Sequence, residues 1–172
     1  MSEKNIRLIN SYTHPLCGEI TVPGDKSISH RGVMFGAISE GITELTGFLD
    51  GADCRSTIGC FRSMGIDIEQ DKNNVCVHGR GMYGLSAPVA TLDTGNSGTT
   101  TRIISGLLCG QRFSSRLTGD ASIESRPMKR IIEPLGMMGA DISSERDNGC
   151  APLVINPAKL HGIAYNSPVA SA

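Results

Sequence analysis

Two short stretches carry residue types and spacings that can bind anions. VPGDKSISHR (22–31) and GNSGTTTR (95–102) each open on a glycine and end on an arginine seven residues later, Gly24 to Arg31 and Gly95 to Arg102. A helix starting just after the glycine would present unpaired N–H groups and a partial positive charge, which suits phosphate or carboxylate. Lys26 adds a point charge, and Ser27 and Thr99 add hydroxyl donors. Gly98 lets a ligand approach the backbone, and Asn96 precedes it in the same loop. Arg31 follows Ser27 by four residues and shares its helix face. Arg126, in ESRPMK, stands before a further helix as a forked clamp for an oxyanion. Ordinary capping would explain either stretch alone. Their recurrence favours a small polyanionic ligand held between two units.

The other reactive side chains form no such pattern. His30 could act as a base, but a helix-surface or packed histidine is the expectation. His14, His78 and His161 have no metal-ligand spacing, and no metal site is expected. Arg55 is expected to pair with Asp53 or Asp50. Six scattered cysteines, with no C-x-x-C pair, are expected to be reduced and mostly buried. No nucleotide-binding glycine motif or nucleophile elbow is present.

The elements that would position these residues repeat. Gly24/Gly95, Arg31/Arg102, Arg55/Arg126 and Gly65/Gly136 share an offset of 71, and MGIDI (64–68) answers MGADI (138–142) at 74. The first unit is expected as a strand at Glu19–Val22, a helix at 27–39 and a strand at 42–48. A helix at 53–64 and a hairpin of 66–69 with 74–78 complete it. The second is expected as a short strand before Gly95, a helix at 98–109 and a strand at 115–118. A helix from near Pro127, kinked at Pro134, and a hairpin of 140–144 with 153–155 follow. The order is β-α-β-α-β-β, an α/β (α+β) fold, and a third unit is expected to open near Ile163.

Composition narrows the partners. The 172 residues carry a formal net charge of −1, which gives no footprint for nucleic acid or an anionic membrane surface. No apolar run approaches the roughly 20 residues that span a bilayer, and MSEKNIRLIN has no apolar signal core. A cytoplasmic protein is expected. With 21 glycines and no tryptophan, the chain should form tight turns around an aliphatic core.

VPGDKSISHR, LDTGNSGTTTR, LTGDASIESRPMKR and the final PVASA together resemble the 5-enolpyruvylshikimate-3-phosphate synthase family, from about Cys17 to Ala172. The resemblance implies transfer of the enolpyruvyl group of phosphoenolpyruvate to the 5-hydroxyl of shikimate 3-phosphate, with release of phosphate and no cofactor. It implies two lobes of three β-α-β-α-β-β units, an inside-out α/β barrel type, in an enzyme monomeric when complete. By it Lys26 contacts both substrates, and Ser27, Arg31 and Ser171 hold shikimate 3-phosphate. Gly98 and Arg126 line the phosphoenolpyruvate site, supported by Asn96 and Thr99. Residues 1–22 would be a leader strand belonging with the other lobe. Residues 23–172 would be one lobe, with complete units at about 23–80 and 90–157 and the start of a third. The chain would then be an N-terminal portion, inactive without the C-terminal part. The related transferase acting on UDP-N-acetylglucosamine carries a cysteine on the loop that here reads Asn96-Ser97-Gly98-Thr99. It stays an alternative, as do an RNA 3′-phosphate cyclase and a non-catalytic anion-binding module.

Overall fold

A computed structural model describes Pro15 and residues 17–166. Two small sheets, each with its own helices, enclose one aliphatic core. The first unit runs α1 (Lys26–Ile38), β1 (Glu40–Leu45), α2 (Ala52–Ser63), β2 (Asp67–Asp71) and β3 (Asn74–Arg80). Its sheet has the order β1-β3-β2, antiparallel throughout, with Leu45 opposite Val75 and Asp67 opposite His78. The second unit runs β4 (Leu92–Asp93), α3 (Gly98–Leu108), β5 (Ser115–Thr118), α4 (Ala121–Ser125), α5 (Lys129–Met137), β6 (Asp141–Ser144) and β7 (Leu153–Asn156). Its order is β4-β5-β7-β6, with β4 parallel to β5 and the other pairs antiparallel.

The MG pairs explain how the repeated sequence gives repeated structure. Gly65 (φ +86°) and Gly139 (φ +88°) take the left-handed conformation just after α2 and α5. Ile66 N–H then donates to Phe61 O and Gly65 N–H to Arg62 O; Ala140 N–H to Leu135 O and Gly139 N–H to Gly136 O repeat both bonds. This paired closure satisfies the last carbonyls of each helix and turns the chain into its hairpin.

Two expectations are corrected. Glu19–Val22 forms no strand: Ile20 is 84% and Val22 70% exposed, so a strand there would have no apolar surface to cover. In the second unit the matching β4 does form, because Leu92 is buried beside β5. The helix expected from Pro127 starts at Lys129, and α4 precedes it, capped by the Asp120 carboxylate accepting from Ile123 N–H at 3.0 Å. Pro134 lies inside α5, where it removes one backbone donor. The described residues of the expected third unit, 163–166, have no regular structure.

Helices of both units meet in the core. Ile58, Phe61 and Met64 from the first unit join Leu92, Ile104, Leu108, Leu117, Ile123, Leu153 and Ile155 from the second, all at most 2% exposed. Each fully buried side chain of this size contributes roughly 1.5–3 kcal/mol. The apolar side of α1 lies on its sheet, with Gly36 close enough to Val77 that a Cβ would stand 3.2 Å from it. Cys54, Cys60 and Cys109 are buried, Cys76 and Cys150 half-buried and Cys17 exposed; all are free thiols. Among the described residues no helix is long and apolar enough to cross a membrane.

Candidate functional site

The site begins with three helix N-termini that start side by side. Lys26 in the first turn of α1 pairs with Asp53 in the first turn of α2. One turn on, His30 Nδ1 lies 2.7 Å from Thr57 Oγ1. Both contacts advance by four residues on each helix, so α1 and α2 run parallel here. Thr57 Oγ1 in turn lies 2.7 Å from Thr100 Oγ1 in the first turn of α3, which joins the second unit to the first.

The caps differ. Asp25 caps α1, its carboxylate accepting from Ile28 N–H at 2.7 Å, so a negative charge sits at that terminus. Ser97 caps α3, accepting from Thr100 N–H at 3.1 Å and from the Thr100 hydroxyl at 2.6 Å. The second terminus therefore keeps its positive end without a charged cap. Ser97, Thr100, Thr101 and Thr94 are all fully buried and bonded among themselves, with Thr94 and Thr101 hydroxyls 2.7 Å apart. Hydroxyls in a helix's first turn can take up donors that the helix leaves free, and burial demands that they do.

Gly98 lies at the centre of the second terminus. A Cβ placed there would stand 2.8 Å from Arg102 Nη1 and 3.1 Å from Arg126 Nη1, so two guanidinium groups converge on this glycine. Arg126 is fixed from behind: its Nη2 donates to Asn96 Oδ1 at 2.8 Å and to Ser122 Oγ at 2.9 Å. The Asn96 amide donates onward to Asp120 Oδ2 at 2.6 Å. The Asp120 carboxyl is held below the usual carboxylate range by the Ile123 N–H first and the Asn96 amide next, so it stays ionised and anchors the group. The result is a half-buried pair of cations over an open backbone, suited to a carboxylate or phosphate.

Of the residues singled out in the sequence, Lys26, Asn96, Gly98, Thr99 and Arg126 thus lie at or beside these termini. Ser27 and Arg31 lie exposed on α1. Ser171 and His14 lie outside the described residues. Arg55 pairs with Asp50 at 2.8 Å, the structural ion pair expected of it, while Asp53 goes to Lys26. Arg102 was visible only as the end of the second stretch; its spacing of four from Gly98 was the available signal. Asp53 and the His30–Thr57–Thr100 contacts depend on pairings between distant segments that no local spacing reveals, whereas Ser122 precedes Arg126 by four residues. The hairpin also brings Asp67, Glu69 and His78 together on an exposed face, with His78 Nε2 3.7 Å from Glu69. A cavity of about 610 Å³ near Tyr83, Arg112 and Lys159 shares no residue with the Gly98 cluster.

Comparison with known proteins decides the family. The family model for EPSP synthase (3-phosphoshikimate 1-carboxyvinyltransferase) matches residues 11–172. The chain belongs to the EPSP synthase family. It is 55% identical over all 172 residues to a 3-phosphoshikimate 1-carboxyvinyltransferase of Bacillus thuringiensis (strain Al Hakam), and spans 39% of that relative. Over 155 residues it is 57% identical to the enzyme of the same name from Brevibacillus brevis, covering 90% of this chain and 36% of that one. The solved EPSP synthase of Acinetobacter baumannii superposes with a TM-score of 0.87 at 52% identity, covering 90% of this chain and 35% of that structure. The chain therefore spans little more than a third of the length of these family members.

Proposed function

We propose that this chain supplies one lobe of an enolpyruvyl transferase that moves the enolpyruvyl group of phosphoenolpyruvate to the 5-hydroxyl of shikimate 3-phosphate. The observation that carries the proposal is the convergence of Arg102 and Arg126 on Gly98 at the terminus of α3, in a chain of this family. Phosphoenolpyruvate is small, carries both phosphate and carboxylate, and needs two cations close to a bare backbone. Gly98 and Arg126 would bind it, with Asn96 and Thr99 holding the loop. Lys26 would lie between the two substrates, with Ser27, Arg31 and Ser171 on shikimate 3-phosphate. Residues 1–22 would belong with a second lobe. Residues 23–172 would form units at about 23–80 and 90–157 and open a third, in the inside-out barrel arrangement of a cytoplasmic monomer.

In the reaction the enol carbon of phosphoenolpyruvate gains a proton and the 5-hydroxyl oxygen bonds to the neighbouring carbon, losing its own proton. A tetrahedral intermediate forms. Loss of phosphate and of a proton then restores the carbon–carbon double bond on the product. The contribution of these residues is charge neutralisation and alignment. Two anions that would repel are held with their reacting atoms in contact, a geometry that lowers the barrier most when the charges are fixed in advance. Closure of a second lobe would exclude water.

The test joins this chain to the remaining part that its relatives carry and follows phosphate release with both substrates. The expected result is turnover dependent on both substrates and on Lys26. Turnover with UDP-N-acetylglucosamine in place of shikimate 3-phosphate would move the assignment to the related transferase. Binding of both anions with no transfer would leave an anion-binding module.

A further inference from the structure

We infer that His30 is a positioning residue for the phosphoenolpyruvate subsite: its Nδ1–H starts a one-way relay of buried hydroxyls, through Thr57 and Thr100 to Ser97, that fixes the first turn of α3 beside Gly98. The inference rests on the function proposed above for that turn.

The direction of the relay follows from counting protons. Each threonine hydroxyl has one hydrogen to give. Thr100 gives its hydrogen to Ser97 Oγ at 2.6 Å. The short Thr57–Thr100 contact, 2.7 Å, then requires Thr57 to be the donor. Its other acceptor, Asp53 O, lies at 3.4 Å and is a poor competitor. With the Thr57 hydrogen spent, the 2.7 Å contact to His30 Nδ1 requires the imidazole to donate. Nδ1 therefore carries the proton and Nε2 is bare, and Nε2 has no hydrogen-bond partner among the described residues. An unpaired lone pair there costs less than an unpaired N–H would.

The surroundings keep the ring neutral. His30 is fully buried, and burial is the first cause lowering its pKa below 6.5, followed by the nearby charge of Lys26; Asp53 opposes and Arg31 adds. The charges acting on it are Lys26 and Arg31 on α1 and Asp53 on α2, while the Thr100 hydroxyl of α3 meets Thr57.

The placement gives the relay its function. His30 lies one turn below Lys26 on α1, and Ser97 is the residue before Gly98. The chain of contacts therefore spans from the Lys26 helix to the Gly98 helix through a buried layer. Buried hydrogen bonds of this kind carry more orientation than net stability, because a lost partner leaves the others unsatisfied.

The experiment uses the joined, full-length enzyme with ¹⁵N-labelled histidine. NMR of the free enzyme at pH 7 should show His30 protonated at Nδ1 and bare at Nε2; a proton on Nε2 overturns the relay, whatever the enzyme's activity. Steady-state kinetics then test its consequence. Thr57→Val and His30→Leu should each raise the KM for phosphoenolpyruvate about tenfold, with less than about twofold change in the KM for shikimate 3-phosphate. Thr57→Ser and His30→Asn, which keep a hydroxyl and an N–H donor, should recover most of the loss. The Thr57→Val/His30→Leu double variant should be no worse than the poorer single one, since both cut the same chain. Equal rises in both KM values, additive effects, or no recovery by the conservative variants would overturn the positioning role. Absence of wild-type turnover would defeat the proposed function instead, with the NMR result still deciding the relay.

Discussion

The two helix termini that look alike in the sequence hold charge in opposite ways. At α1 an aspartate caps the helix and a lysine, half exposed, is tied to Asp53, so the cap's own carboxylate offsets the helix dipole and any anion must be held by side chains. At α3 a neutral serine caps the helix, the first turn is packed with buried hydroxyls, and two arginines roof a glycine. The first terminus offers exposed side chains; the second is a backbone cradle. For the two anions of the proposed reaction, this division makes sense. In the proposed reaction the smaller anion would take the preformed cradle, and the larger one would be gripped by longer arms.

The largest expected effect falls on the α1 terminus. Lys26→Met in the full-length enzyme should lower turnover several hundredfold, since a lost charge contact in the transition state costs about 3–4 kcal/mol. Folding should hardly change, because the Lys26 side chain is 51% exposed in its pair with Asp53. Near-normal phosphate release would break the comparison, leaving only the α3 cradle in the chemistry.

Gly98→Ala tests the cradle, with a smaller expected effect. A methyl group at Gly98 would meet only the ends of two flexible side chains, Arg102 at 2.8 Å and Arg126 at 3.1 Å. The fold can accept it once those guanidinium groups move. The KM for phosphoenolpyruvate should then rise about tenfold, as displaced cations lose their fit to the anion, while stability stays within about 1 kcal/mol. Unchanged affinity together with a large loss of stability would show that the glycine serves packing rather than ligand approach.

Legibility in the sequence followed how local each cause was. The helices at α1, α2 and α3 were visible because capping residues, helical spacing and a following glycine all lie within a few positions of one another. The MG closures could be recognised as a repeat because a left-handed residue is needed at a fixed place after each helix. The Glu19–Val22 strand was misjudged because alternation signals a half-buried strand only where a partner surface exists, and none covers Ile20 or Val22 here. α4 was missed because it is only five residues long and rests on Asp120 and on burial of Ile123. Of the site, the glycine, asparagine and arginine at the α3 terminus could be read from type and spacing. The difference between the two caps was also written there, as Asp25 against Ser97. Its meaning emerged only with the buried layer that connects them, since Thr57 is 43 residues from Thr100 and 27 from His30.

That buried layer gives a pH prediction. Because the folded protein lowers the His30 pKa below 6.5, the unfolded chain binds more protons as the pH falls past that value. His30 therefore contributes stability that is fully present above pH 6.5 and is lost on acidification. Glu124, lowered first by the Thr118 hydroxyl, and Glu145, lowered first by Arg116, titrate below this window and do not confuse it. The melting temperature should fall by a few degrees between about pH 7 and pH 5, and His30→Asn should flatten that slope. An equal slope in wild type and variant would mean that the layer joining the two termini is not where the proton is excluded.

The smallest effect comes from making the two caps alike. Asp25→Asn keeps a side-chain oxygen to accept the Ile28 N–H, now made at 2.7 Å, but removes the negative charge from the α1 terminus. Two consequences oppose each other. The helix loses a favourable charge–dipole interaction of about 0.3–1 kcal/mol, so the melting temperature should fall slightly. An anion approaching Lys26, Ser27 and Arg31 no longer meets the carboxylate, so shikimate 3-phosphate should bind a few times more tightly, by a margin that shrinks as salt is added. Titration calorimetry at low and high ionic strength separates the two, since the dipole term acts on the fold and the repulsion acts on the ligand. Weaker binding would mean that Asp25 contacts the substrate through a hydroxyl or a water, making the α1 terminus a specific recognition site. A salt-sensitive gain would confirm that the charged cap is what distinguishes α1 from α3, and that the open terminus relies on its side chains alone.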